Sequence, residues 1–220
     1  MKFSLGEGIT INNMNVSFYF DPCCPFCWIT SRWLLVVEKH RDLQVTWRPF
    51  SLMLKNGDQN KTSDTAKSHK SAHRVLRVML AARQRHGTAL IDLYTSYGQA
   101  FHLDKRKFSD NVILDILKKH DLPSELLEAA DDKSYDADLQ AAIDEAVAVA
   151  GQDIGVPTIA FEAGDGSKNG FFGPVLQALP SLEQSLNLWD GLSKLATDKN
   201  FYELKRTRPD VKPDVASTAA

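Results

Sequence analysis

Cysteine is scarce in this chain: three occur in 220 residues, at positions 23, 24 and 27, and none elsewhere. A disulfide framework tying distant loops together is thereby excluded. Neither sign of charge dominates, with 26 Lys and Arg against 28 Asp and Glu and a formal net charge of −2. No net positive field exists to hold nucleic acid or an anionic membrane. No apolar run approaches the roughly 18 to 20 residues that span a bilayer. The stretch from Met1 to Asn15 lacks the basic region, apolar core and small-residue cleavage site of a secretory signal, so the expected location is the cytoplasm. What is present is the balance of an ordinary globular chain, 43% hydrophobic and 25% charged, able to bury one good core. Three clustered cysteines in such a setting point to metal binding or to thiol redox chemistry.

Val16 to Phe20 is short, β-branched and aromatic and is stopped by Asp21-Pro22, which predicts a strand running into a turn. From Pro25 the period changes. Trp28, Ile29, Trp33, Leu34 and Val37 share one helical face, and Pro25 suits the first turn, where its missing N–H is harmless. Leu43 to Trp47 reads as a second strand and completes a βαβ unit with parallel strands. The polar run from about Asn56 to Ser71 reads as a linker or mobile loop. Helical periodicity then returns through Ala72 to Met79, Leu90 to Tyr97, Val112 to Leu117, a short helix from Ser124 to Ala130, and a longer one carrying Leu139, Ile143, Ala146 and Val147. Strand signals come back at Thr158 to Phe161 and at Phe171-Phe172, joined by a Gly-rich connection with Gly164, Gly166 and Gly170, which predicts a hairpin. Pro180 opens a closing helix with Leu182, Leu186, Trp189 and Leu192, and Pro209 to Ala220 is expected to be a disordered tail.

That order is an α/β, thioredoxin-like fold: βαβ, helical insertion, long helix, β-hairpin, C-terminal helix. It implies a discontinuous thioredoxin-like domain at 1–61 and 146–198, an inserted helical subdomain at 62–145 and a C-terminal tail at 199–220. Cys24-Pro25-Phe26-Cys27 is then a C-x-x-C at the start of a helix inside a βαβ pattern, the context in which this spacing reads as a redox motif. A thiolate, not a thiol, attacks disulfides, and a helix N-terminus favours the anion. Cys24 is the expected exposed, acidic nucleophile. Cys27, one turn on, is the expected buried resolving thiol. Far along the chain, Val156-Pro157-Thr158 precedes the hairpin, where a thioredoxin-like fold carries a cis-proline facing the cysteines; the Val156 backbone is then free to pair with an extended substrate.

These residues resemble a known family. Asp21-Pro22, Cys24-Pro25 and Cys27 to Trp33, together with Val156 to Ile159, Phe171 to Leu176, Leu188-Trp189-Asp190 and Glu203 to Arg208, are similar to the DsbA-like, mycothiol-dependent oxidoreductases of actinobacteria, which include the mycobacterial mycothiol-dependent nitroreductase. The likeness spans about residues 16 to 208. It implies a thioredoxin fold with a helical insertion, Cys24 as nucleophile, mycothiol as reducing cosubstrate, disulfide or mixed-disulfide substrates, and nitroaromatic compounds as further substrates. Trp28, Asn56 and His102 become candidate contacts for substrate or thiol, and Lys205, Arg206 and Arg208 candidates for docking or capping. Phe26 stands where the mycobacterial enzyme has Trp, Cys23 stands where it has no cysteine, and the connection from Glu162 to Gly170 is longer. These departures bear on substrate range rather than on the thiol chemistry.

Plainer readings compete with each feature. Adjacent cysteines seldom bridge without strain, so Cys23 is expected to be a bystander. A zinc site normally shows a second paired-ligand motif, and none is present, so no metal is expected. Trp28 and Trp33 also fit as packing residues, and His102 as a solvated helix end. Asn60-Lys61-Thr62 matches a glycosylation sequon of no consequence in the cytoplasm. The glycines miss dinucleotide spacing, so no flavin or nicotinamide and no tightly bound cofactor is expected. Two rivals remain open: a relative of glutathione-transferase-kappa or chromene-carboxylate isomerase, which needs no resolving cysteine, and a non-catalytic metal- or peptide-binding module on the same fold.

Overall fold

In the computed structural model, residues 14–57, 63–162 and 166–219 are described. Gly164, the Asn60-Lys61-Thr62 sequon and the expected 61/62 domain boundary lie outside them. Strand β1 (Met14–Phe20) leads into helix α1 (Pro25–Glu38) and returns as β2 (Leu43–Pro49), which lies parallel to β1 with Val16 opposite Val45 and Phe18 opposite Trp47. Strands β3 (Thr158–Glu162) and β4 (Lys168–Phe172) form an antiparallel hairpin, and β3 runs antiparallel to β1. The sheet order is β2-β1-β3-β4. Because β1 is central and covered on both faces, it reads as an almost unbroken apolar run rather than an alternating one.

Among the described residues, the chain between β2 and the hairpin is helical: α2 (Leu52–Asn56), α3 (Asp64–His86), α4 (Leu90–Gly98), α5 (Asp110–Lys119), a 3₁₀ stretch at Ser124–Asp131 and α6 (Asp136–Ala150), with a further 3₁₀ turn at Lys133–Tyr135. Helix α3 starts within the stretch expected to be a linker. Ser63 caps it by accepting the Ala66 N–H, and Asp64 occupies its first turn. Its first two turns are largely solvent-facing, so they carry polar residues all round and no hydrophobic period. Helix α4 runs on into a single π-helical turn, Gln99–Leu103.

Helix α7 (Leu182–Ala196) packs beside α1: Trp33 and Trp189 lie 5.9 Å apart, and the Trp33 indole N–H donates to the Ser185 carbonyl at 3.1 Å. Burying side chains of this size is worth about 1.5–3 kcal/mol each. Helix α6 presses on the hairpin closely enough that a Cβ at Gly170 would lie 2.8 Å from Val149. The inserted helices join the same core, since Tyr94 of α4 stacks on Phe20 of β1 at 4.1 Å.

The far end of the chain departs from expectation. Residues 209–219 are not a loose tail: a 3₁₀ turn at Val215–Thr218 packs against the core, and the Trp28 indole donates to the Thr218 hydroxyl at 2.8 Å. Polar and backbone bonds hold this segment, which explains why a search for apolar periodicity passes over it.

Candidate active site

The cysteines sit where β1 hands over to α1. Cys24 is the N-cap of α1, in an extended conformation, and its sulfur accepts the Cys27 N–H at 3.5 Å; Pro25 takes the first helical position. The residue after β1, Asp21, folds the intervening turn: its carbonyl accepts the Cys24 N–H at 3.1 Å, and its carboxylate accepts the Cys23 N–H at 3.0 Å and the Leu52 N–H at 2.9 Å. One buried side chain thus ties the cysteine turn to the start of α2.

The three thiols are free and electrostatically distinct, and all three are buried, Cys24 included, where the sequence reading expects an exposed sulfur. A hydrogen bond from the Cys27 thiol holds Cys24 below the ordinary thiol value, helped by the amides of Cys27 and Phe26 and opposed by burial. Burial pushes Cys27 well up, reinforced by its bond to Cys24. Cys23 is pushed well up too, by burial and then by the neighbouring Asp21 carboxylate. Burial likewise raises Asp21, against its two amide bonds. Of the three sulfurs, one is thus primed to ionise and two to keep their protons.

On the other side of the site the Val156–Pro157 peptide is cis, and the Cys24 thiol donates to the Val156 carbonyl at 3.5 Å. Thr158 is fully buried at the start of β3, its hydroxyl bonded to the Gly155 carbonyl. Gly173–Pro174 is also cis, which the sequence reading did not anticipate. The Gly173 N–H donates to the Pro157 carbonyl at 2.8 Å, and Thr30 of α1 donates to the Pro174 carbonyl at 2.8 Å, so the loop after the hairpin borders the motif.

Trp28 lies in the core beneath the motif, as the packing reading expects. It stacks on His102 (5.7 Å), meets Tyr94 edge-on (6.1 Å) and carries the Arg32 guanidinium 4.2 Å above its ring. Gly98 makes room for it, because a Cβ there would lie 2.3 Å from the indole. His102 is no solvated helix end. The π-helical turn carries it into the core, where its Nε2 hydrogen-bonds the Pro22 carbonyl at 3.0 Å and burial lowers its pKa to about 4. Phe26 is half-buried, with Arg208 5.2 Å from its ring. Asn56 ends α2 and is exposed; the structure links it to the cysteines only through the helix whose first amide holds Asp21.

Two contributors escaped the sequence reading. Asp21 was legible as part of a turn signal and of the family likeness but not as a site residue, although an acid between an aromatic strand and a cysteine motif was there to see. Tyr94 appeared merely as one apolar position of a helix. Its hydroxyl is buried without a hydrogen-bond partner among the described residues, and the charges of Cys27 and Cys24 help push its pKa well up, after burial itself. Among those residues, no three His, Cys, Asp or Glu side chains are placed to share a metal ion.

A family model described as "Rv2466c-like: Mycothiol-dependent nitroreductase Rv2466c" matches residues 23–206. The chain belongs to this family. As a member of the Rv2466c-like family it is an oxidoreductase with a DsbA-like thioredoxin fold. It is 29% identical over 195 residues to the uncharacterized protein Rv2286c of Mycobacterium tuberculosis, covering 88% of this chain and 82% of the relative. Among solved structures it resembles the cytosolic disulfide reductase DsbM of Pseudomonas aeruginosa, with TM-score 0.57 and 15% identity over 83% of this chain and 100% of the other. It also resembles the probable DsbA oxidoreductase SCO1869 of Streptomyces coelicolor, with TM-score 0.55 and 16% identity over 90% and 97%. At such identities these two structures speak for the fold alone. No helix among the described residues is long and apolar enough to cross a membrane.

Proposed function

We propose that Cys24 and Cys27 are the redox pair of a cytoplasmic thiol–disulfide oxidoreductase whose dithiol is restored by mycothiol. The observation that carries this reading is the asymmetry of the pair: Cys24 caps the helix and is held acidic by the Cys27 thiol, whereas Cys27 is buried and keeps its proton. The Cys24 thiolate attacks one sulfur of a disulfide, forming a mixed disulfide and releasing the other sulfur as a thiolate that takes up a proton. Cys27, on losing its proton, attacks the Cys24 sulfur, closes the Cys24–Cys27 disulfide and expels the second thiolate. A first mycothiol opens that disulfide as a mixed disulfide and a second completes the reduction. Net, one substrate disulfide and two mycothiols become two thiols and mycothiol disulfide.

The same electron pair serves a nitroaromatic substrate: reduction of a nitro group to the nitroso level takes the two hydrogens of the dithiol, releases one water and leaves the disulfide for mycothiol to reduce. Pro25 and Phe26 flank the attacking sulfur, while Val156, Pro157 and Thr158 form the opposing wall, with the Val156 carbonyl against Cys24. Trp28, Asn56 and His102 stand as candidate contacts for substrate or thiol: the first and last support the motif from the core, and Asn56 is exposed at the end of α2. Family membership supports mycothiol as the donor, and a P. aeruginosa DsbM structure with GSH, TM-score 0.56 over 82% of this chain and 99% of the other, shows the same fold.

Turnover of a small disulfide with mycothiol, followed with Cys24→Ser and Cys27→Ser, tests the reading. The first variant is expected to lose turnover; the second is expected to accumulate a mixed disulfide on Cys24, visible by mass spectrometry. Equal turnover by both variants and the parent overturns it.

A further inference from the structure

Beyond the redox pair, the residues following α7 return to the neighbourhood of the dithiol, meeting Phe26, Trp28 and the loop after the hairpin. Arg208 lies over Phe26, inside the motif. Next, Val211 to Ser217 line up along the loop that follows the hairpin: Gln177 donates to the Val211 and Lys212 carbonyls at 3.3 and 2.7 Å, and the Asp214 N–H donates to the Gln177 carbonyl at 2.8 Å. Ala178 and Asp214 form a parallel bridge, and the Leu179 N–H donates to the Ser217 hydroxyl at 2.9 Å. Finally Thr218 accepts the Trp28 indole N–H, one residue after Cys27. The loop that receives this strap is the one bonded to Pro157 and Thr30 at the rim of the site.

An extended polypeptide docks on an exposed backbone edge through main-chain hydrogen bonds. Here the chain's own residues 211–217 already hold those bonds. A small disulfide requires none of them, because it needs only the Cys24 sulfur and the facing Val156 carbonyl, and Cys24 shows 8% of its surface.

We infer that the strap of residues 208–218 is the specificity determinant of the site: it admits low-molecular-weight disulfides to Cys24 and excludes disulfides carried on folded proteins. This rests on the reading of Cys24 as the attacking thiol. The five hydrogen bonds that fasten the strap are partly exposed and reversible, so it can open; together they impose on large reagents an opening penalty of at least about tenfold.

The test uses the reduced full chain and one reactive group at two sizes: N-ethylmaleimide, and a maleimide on a long polyethylene glycol chain. Labelling of Cys24 is assigned by peptide mapping and normalised to the urea-unfolded chain. The parent is expected to disfavour the large reagent by at least about tenfold relative to the small one. Ser217→Ala with Thr218→Val, and separately Gln177→Ala, are expected to bring the two rates together and to raise reduction of a folded protein disulfide relative to a small one. Hydrogen exchange at the Asp214 amide, which is bonded to the Gln177 carbonyl, reports strap release in the same proteins. A parent labelled equally well by both reagents overturns the inference, as does a variant whose Asp214 amide exchanges freely yet keeps the parent's size ratio. If the redox reading itself fails, the parent turns over no small disulfide at all, which is a separate outcome.

Discussion

Replacing Asp21 by Asn probes the group on which the cysteine turn is built. The side chain is fully buried, accepts two amide N–H bonds, and has no ion-pair partner among the described residues. In the variant one amide bond survives on the Asn oxygen. The other position becomes an NH₂ facing an N–H, a buried donor without acceptor, at a cost of about 1–3 kcal/mol. Against that stands relief of a buried charge. Burial raises the Asp21 pKa above its unfolded value near 3.8, so between those two values the native protein holds a proton that the unfolded chain has released. Across that window parental stability falls by up to about 1.4 kcal/mol for each unit of rising pH, and the Asn variant lacks this slope. The stability advantage of the parent is therefore greatest at low pH and shrinks as pH rises through the elevated Asp21 pKa. Paired urea melts of the two reduced proteins from acid to mildly alkaline pH measure this directly. Because the Asp21 carboxylate also raises the Cys24 thiol, the variant's thiolate absorbance at Cys24 should develop at lower pH than in the parent. A stability gap that is constant or widens with pH, or a thiolate titration that moves upward, refutes the reasoning.

Gly98→Ala should lose about 1–3 kcal/mol in denaturant melts, because the added methyl meets the Trp28 indole at 2.3 Å and the stack of Trp28, His102 and Tyr94 cannot retreat without repacking. Asp136→Asn strips the bidentate partner from the buried Arg77 guanidinium (2.6 and 2.7 Å) and a 3.0 Å contact from His73; since Asp136 is itself 27% exposed, the loss should sit near the lower end of the buried-pair range, about 3 kcal/mol in the same melts. His102, depressed to about 4, stays neutral in the native state while the unfolded chain protonates near 6.5, so its contribution to stability is complete above that pH and is lost as pH falls toward 4. NMR of the ring should show neutral imidazole at pH 6, and an imidazolium signal there contradicts the burial.

The βαβ unit and the dithiol were legible because their signals are local. Val16 to Phe20 is β-branched and aromatic, and Pro25 behind Cys24 marks a helix start in a chain where cysteine occurs nowhere else. The start of α3 was not legible, since residues 63 to 71 form a helix held by the Ser63 cap with little apolar face to betray it. The burial of His102 was hidden for a different reason: a π-helical turn shifts the register by which α4 would have aimed it. Asp21 was hidden by its own ambiguity. Beside Pro22 it is a turn residue in sequence, and only the distant Leu52 amide shows that it anchors two elements at once. The strap was missed because each of its bonds joins residues more than thirty positions apart, with a side chain at one end of all but the Asp214–Gln177 bond and a backbone group at one end of all but the Trp28–Thr218 bond.

The chemistry of the pair depends on a competition that the structure resolves in one direction. Burial alone would keep both sulfurs protonated, and the charge of the Asp21 carboxylate pushes the same way on each, although the Asp21 backbone opposes it at Cys27. What separates them is the donors each sulfur faces. Cys24, as N-cap, receives the Cys27 thiol and the free amides of the first turn, whereas Cys27 spends its proton on Cys24. Holding the Cys24 anion stabilises the dithiol relative to the disulfide, because the charge is lost when the S–S bond closes. On the proposed reading, such a site yields its disulfide readily to an incoming thiol, and a closed Cys24–Cys27 bond would need only a small reductant able to pass the strap. Replacing Phe26, whose amide contributes to that anion, would leave this balance intact, because an amide contribution does not depend on the side chain attached to it. Position 26 can thereby vary its contact with Arg208 while the motif keeps its electrostatics.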